Sequence, residues 1–174
     1  MKQKKQETQS VTLSEYTNIQ LTALVLLRML IGWHLLYEGI SKVINPYWTS
    51  AGYLSESKWI FSGLFTSIVA NPTALKIVDF LNEWGLIAIG IGLIAGLFTR
   101  TATIAGIVLL CLYYVANPPF LGYQYSMPTE GSYLIVNKTL IEAAALFVLA
   151  FFPTGRMIGL DVFLFRKSGK IESD

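Results

Sequence analysis

Residues 21–44 read LTALVLLRMLIGWHLLYEGISKVI. The run is long enough to cross a bilayer, which takes about 20 residues of helix. It also carries Arg28, His34, Glu38 and Lys42. Ionisable groups at membrane depth are costly unless they are paired or wetted, so they are rarely accidental. At about 100° per residue, Glu38 follows His34 by about 40° around the helix, and Lys42 follows Glu38 by about 40°. Arg28 falls about 40° past Lys42, so the four share an arc of about 120°. Trp33 and Tyr37 point elsewhere, among Leu and Ile side chains. One face of this helix is therefore built to meet polar partners inside a bundle.

The rest of the chain has the composition for such a bundle. Its 174 residues are 53% hydrophobic and 14% charged. A soluble domain is about a quarter charged, so the chain reads as membrane-embedded. A net charge of +2 is too small to argue for nucleic acid, and no basic patch is interleaved with aromatics, so no nucleic-acid partner is expected. Cys111 is the only cysteine and His34 the only histidine. An intramolecular disulfide, a CxxC pair, a Cys-ligated cluster and a bis-histidine haem within this chain are thus excluded. No haem, iron–sulfur or metal cofactor is expected.

The expected fold is an all-α membrane protein: an antiparallel bundle of four transmembrane helices. Residues 1–17 are a polar tail, 18–165 the membrane domain and 166–174 a second polar tail. The first span ends at Asn45-Pro46, because proline disfavours helix in the residue before it. A long connection follows, Tyr47 to Asn71, rich in Trp, Tyr, Ser and Gly. Within it, Trp59–Ala70 is apolar but too short to span, and reads as a short interfacial or re-entrant helix in the first outer loop. The second span is expected over Thr73–Phe98, after a proline suited to a helix start. It carries Lys76, Asp79, Asn82 and Glu83 in its first half, and Gly92 and Gly96 as a GxxxG packing pair in its second. The third span is expected over Thr101–Ala116 and the fourth over Tyr133–Phe152, with Phe120–Ser132 as the second outer loop.

Loop lysines and arginines orient the bundle. With a cytoplasmic N-terminus, the inside holds Lys2, Lys4, Lys5, Arg100, Arg156, Arg166, Lys167 and Lys170, and the outside Lys58 and Lys76. Both termini are then cytoplasmic. The intramembrane charges sort into two clusters. The inner one, Arg28, Arg100 and Asp161, has the character of a structural ion-pair set, with Arg28 paired to Asp161. The outer one gathers His34, Glu38, Lys42, Glu83 and Glu142. Part of it is readable as plain pairing, such as Glu38 with Lys42 one turn on. An unequal set of acids and bases beneath an aromatic loop is also how a proton-handling site would be built.

Several of these residues carry a family likeness. Arg28, Gly32, Glu38-Gly39 and Lys42 in the first span resemble the DoxX superfamily. So do Glu83-Trp84-Gly85, Gly90 and Gly96-Leu97-Phe98-Thr99-Arg100, and the ending Gly155-Arg156…Gly159-Leu160-Asp161. The insertion Trp48…Gly52-Tyr53-Leu54, with Tyr113-Tyr114, Pro118-Pro119 and Tyr133-Leu134-Ile135-Val136-Asn137-Lys138…Glu142, looks like the DoxD branch, the small membrane subunit of thiosulfate:quinone oxidoreductase. The likeness covers residues 21–165. It implies an inner-membrane subunit of a quinone-linked oxidoreductase, fed by a thiosulfate-like donor or a partner protein such as a DoxA-like extracytoplasmic subunit, and leaves room for an oligomer.

Quinone chemistry needs a pocket open to lipid, aromatics around the ring, and acid/base groups at the carbonyls. Glu38, Glu142, His34 and Glu83 are the expected proton-handling residues. Lys42, Trp84, Tyr113, Tyr114 and Lys138 are expected to hold the quinone. The competing expectations are a non-enzymatic membrane anchor or maturation module for a periplasmic redox partner, and a small transporter or proton pathway. Against transport, the chain shows no inverted repeat and no matched pair of broken helices.

Overall fold

The computed structural model describes residues 17–126 and 134–164. Tyr133, the end of the second outer loop, and the lysines and arginines of both tails lie outside the described residues. Among the described residues the molecule is mostly helical. Three helices are long and apolar enough to cross a membrane: α1 (Asn18–Ile44), α4 (Pro72–Ala95) and α5 (Thr99–Ala116). A further long helix, α6 (Lys138–Phe151), completes a bundle in which α1 packs on α4, α4 on α5, α5 on α6 and α6 on α1. Two short helices, α2 (Ala51–Ser55) and α3 (Ser62–Ala70), fill the α1–α4 connection. Two more, α7 (Thr154–Met157) and α8 (Asp161–Leu164), follow α6.

Helix limits follow from local chemistry. Thr17 caps α1 with a reciprocal pair: its side chain takes the Gln20 amide, and the Gln20 side chain takes the Thr17 amide. This starts the helix ahead of Leu21. Before α4, the Asn71 side chain accepts from the amides of Thr73 and Ala74, and Pro72 occupies the first helical position. Gly96 then ends α4 at φ 64°, three residues earlier than expected. α6 starts at Lys138 rather than near residue 133, because the Asn137 side chain takes the Leu140 amide as its cap. Its 14 residues reach about 21 Å, less than the roughly 30 Å hydrocarbon layer.

Backbone contact fixes the antiparallel α1–α4 seam. A Cβ on Gly90 of α4 would lie 2.6 Å from Leu36 N and 2.7 Å from its Cα. A Cβ on Gly39 of α1 would lie 2.8 Å from the Ile87 side chain and 2.9 Å from Ile87 N. Residues further along α1 thus meet residues earlier along α4. The pair expected to bring helices together, Gly92 and Gly96, is divided between two other tasks. Gly92 lets Ala102 of α5 approach, and Gly96 forms the turn against Gly159. The core between the four helices is Ile31, Leu35, Leu86, Ile89, Leu93, Ala102, Leu110, Ala143, Leu146 and Leu149. A second cluster, Leu54, Phe65 and Ala116, seats the loop helices. The outer surface is apolar, as a lipid-facing surface would be: Leu26, Leu30, Trp33, Phe80 and Phe147 are all exposed.

At the end where Arg28 sits, the expected Arg28–Asp161 ion pair gives way to a different arrangement. Arg28, 2% exposed, donates to Thr154 Oγ1 at 3.2 Å and to Ile158 O at 2.8 Å. The Asp161 carboxylate instead accepts the amides of Phe98 at 2.7 Å and Thr99 at 3.0 Å. The physical reason lies in the α4–α5 turn. Phe98 adopts φ 47°, and α5 opens with no side-chain cap of its own. Its first amides, at the positive end of the helix dipole, draw in the carboxylate. Asp161 still acts electrostatically on Arg28. Arg100 is exposed and has no ion pair among the described residues.

Candidate functional site

A cavity of about 620 Å³ opens between α1, α4, α5 and α6 beneath the α1–α4 connection. The polar face read from residues 21–44 supplies its α1 wall: His34, Glu38 and Lys42. Asn82 comes from α4, Tyr113 from α5, and Lys138, Thr139 and Glu142 from α6. Leu35, Leu86 and Leu110 provide an apolar floor. Trp48, Ser50 and Tyr53 close the loop side.

Two charge pairs face this space. His34 Nδ1 lies 2.8 Å from Glu142 Oε1, and joins α1 to α6. Lys42 Nζ lies 3.4 Å from Glu38 Oε2, one turn apart on α1. In each pair one side chain is half-exposed, His34 or Glu38, and its partner is nearly buried. Lys42 also stands over two aromatic faces, 5.4 Å from the Trp48 ring centre and 5.5 Å from that of Tyr113.

The loop wall is held from outside the cavity. Asp79 of α4 accepts from Thr49 Oγ1 at 2.8 Å, from the Ser50 amide at 2.8 Å and from Ser50 Oγ. Tyr53 donates to Tyr113 O at 2.8 Å, and its own carbonyl takes Asn117 Nδ2 at 2.9 Å. Burial pushes the Tyr53 phenol up to about 12. Farther out, Glu56 accepts the Ser126 amide at 2.8 Å, Lys58 donates to Gln124 O, and Trp59 meets Phe120 edge-on at 5.1 Å.

Six of the residues expected to form a site come together here: His34, Glu38, Lys42, Tyr113, Lys138 and Glu142. Glu83, Trp84 and Tyr114 do not line the cavity. Helical phase is the reason. Asn82 faces the cavity, so Glu83 is turned about 100° from it and Trp84 about 200°. The charge of Glu83 reaches Lys42. Trp84 is 50% exposed and lies against Phe80, with ring centres 6.3 Å apart. Tyr114, one step round from Tyr113, donates to Ile135 O at 2.7 Å.

Asn82, like Trp48, Ser50, Tyr53 and Thr139, lines the cavity without having been among the expected site residues. It is 8% exposed. It also lies beside the Tyr113 hydroxyl. The two side chains are within reach of each other, and both Asn82 Oδ1 and Tyr113 Oη are fully buried. The available signal for Asn82 was its phase: it falls four and seven residues before Leu86 and Ile89, on the face of α4 that the core buries. Among the described residues no group of three or more His, Cys, Asp or Glu could hold a metal ion.

Comparison with protein-family models, with curated proteins and with solved structures finds no match.

Proposed function

We propose that this chain is a membrane subunit of a quinone-linked oxidoreductase and that the cavity is its quinone site. The observation that carries the reading is the convergence of His34, Glu38, Lys42, Lys138 and Glu142 on one partly apolar space. A volume of about 620 Å³ falls within the roughly 300–1,000 Å³ usual for small-molecule sites. The residues present fit the group: Trp48, Tyr53 and Tyr113 offer flat apolar faces, and Lys42 and Lys138 offer polar anchors.

Quinone, when bound, supplies a two-electron, two-proton redox couple. The chain supplies the proton handling. Glu142 holds or releases a proton at its carboxylate, and His34 Nδ1 exchanges with it across 2.8 Å. Glu38, half-exposed, connects the same space with solvent, while Lys42 offsets its charge. Lys138 adds a second cation at the rim. The sequence encodes no electron carrier, so electrons come from an extracytoplasmic donor or a partner subunit.

In this reading the molecule lies in the inner membrane with both termini cytoplasmic. α6 forms a short fourth span, and α3 rests at the outer interface beside the Lys58 loop. The test is extraction. Protein purified in mild detergent should retain membrane quinone in near-stoichiometric amount, and Glu142→Gln with Lys42→Met should reduce it at least about tenfold. Quinone-free wild-type protein that also fails to bind added short-chain quinone would defeat the reading.

A further inference from the structure

Leu27, His34 and Ser41 follow one another at seven-residue steps on α1, so they form one row along the helix that drifts by only about 20° per step. The row starts against the core, where Leu27 packs. His34 is half-exposed, and Ser41 is exposed. The facing edge of α6 changes in the same sense. Leu149, Ala145, Glu142 and Lys138, three or four residues apart, share one side of that helix. Leu149 is 2% exposed, Ala145 packs against the core, Glu142 is nearly buried, and Lys138 is exposed. The contact of His34 with Glu142 shows that these two edges meet. Among the described residues, the α1–α6 seam is thus closed by apolar side chains on one side of the pair and uncovered on the other. The other three seams are tight at glycines: an added Cβ would lie 2.6 Å from Leu36 at Gly90, 3.1 Å from Ala102 at Gly92 and 2.8 Å from Leu146 at Gly106.

His34 lies ten residues, about 15 Å, before the end of α1 at Ile44. In a helix that crosses a bilayer, an opening at that depth faces acyl chains. Its flanks are apolar: Tyr37 is 63% exposed and Ile141 61%. Its interior is polar, since His34, Glu38, Lys138 and Glu142 line the cavity. A polar chamber behind an apolar rim matches a molecule with a polar head and an apolar tail. We propose that the cavity is loaded from the bilayer through this slot between α1 and α6, and that its ligand is a tailed amphiphile. The head lies in the cavity, and the alkyl or isoprenoid chain leaves past Tyr37 and Ile141. This deepens the quinone reading and rests on it only for the identity of the head.

The test reads entry into the cavity directly. Thr139, which lines the cavity from α6, is changed to cysteine in the full chain carrying Cys111→Ser, and the protein is placed in phosphatidylcholine vesicles. N-dodecylmaleimide delivered in the lipid should modify the Thr139→Cys protein, with the same protein in SDS setting the maximum. Ser41→Trp and Ile141→Trp, both at exposed positions, add bulk to the slot and should each suppress the modification. Val108→Trp, on the exposed face of α5, should not. The two slot variants act from different helices, so either serves should the other fail to fold. Failure of the lipid-borne reagent to reach Thr139→Cys overturns the slot. So does modification that neither slot variant slows. A fully substituted decylbenzoquinone added to the lipid separates the two claims. Slot-dependent modification that this quinone does not slow upholds the slot and defeats the quinone reading. Protection by the quinone, with modification indifferent to both slot variants, does the reverse.

Discussion

His34 Nδ1 and Glu142 Oε1 stand 2.8 Å apart, one on α1 and the other on α6. The pair closes the bundle across the cavity, and puts the chain's single imidazole against a nearly buried carboxylate. Glu142→Gln keeps the shape and still accepts from the imidazole, but removes the exchangeable proton. The variant should insert and fold as wild type. Supplied with its donor, it should turn over quinone at least about a hundredfold more slowly, the low end for loss of a general acid or base. Wild-type turnover would leave the pair as a structural tie between two helices.

Arg28 answers to two acceptors, Thr154 Oγ1 and Ile158 O. Arg28→Leu strands both, and each charged hydrogen bond is worth about 1.5–3 kcal/mol. The amount of folded protein in the membrane and its Tm should both fall. Arg28→Lys should rescue little, since a point charge replaces a planar fork. Equal Tm values for the lysine variant and wild type would contradict this geometry.

Gly90 meets the backbone of Leu36 directly. Gly90→Val must push α1 away from α4, at a cost of about 1–3 kcal/mol or more. Gly85 has nothing within 4 Å of an added Cβ, so Gly85→Ala on the same helix is the control. Thermal unfolding should show a clear drop for the first and almost none for the second.

Much of this fold was legible in residue pattern. The lengths and hydropathy of α1, α4 and α5 follow from apolar runs bounded by Asn71-Pro72, Gly96 and Asn117-Pro118. The phase of α1 was legible too, because Arg28, His34, Glu38 and Lys42 share one arc. What escaped was phase across helices. Trp84 was chosen for its chemistry, but the cavity selects Asn82, two residues earlier and about 200° round the helix. Asn137 was read as a polar group inside a span, whereas its side chain begins α6. Asp161 was read by its charge, yet two amides of a strained turn outbid the guanidinium. Such choices depend on which backbone groups lack partners, and a one-dimensional pattern does not record that.

Orientation is open to labelling. Cys111 is exposed on α5 and should first be replaced by serine. In that background a cysteine at Ser55, exposed at the end of α2, should react with an impermeant maleimide added outside, and one at Ser168 should not. Ser57 is 8% exposed and would be a poor reporter. The reverse pattern would place the cavity's loop wall on the cytoplasmic side.

Tyr53 offers a test in alkali. Its phenol titrates at about 12, above the usual value near 10, because the neutral form is the one that burial tolerates. The neutral form therefore adds stability below about pH 10, and that contribution is lost as pH rises through about 12. Tyr53→Phe should remove one tyrosinate absorbance step near pH 12. It should also cost about 1 kcal/mol at neutral pH through the lost bond to Tyr113 O.

Asp161 holds the amides of Phe98 and Thr99, while its own amide and that of Leu160 bond to Gly96 O and Ala95 O. The junction of α4 and α5 is thus finished by residues more than sixty positions downstream. A ribosome makes the two helices well before it makes their cap. Until Asp161 emerges, the turn at Phe98 has no carboxylate to hold its left-handed backbone, and the start of α5 frays. Closure of the bundle is therefore a late event in synthesis. A nascent chain halted just short of Leu160 would carry all three long apolar helices and still be open to a membrane quality-control protease at that turn.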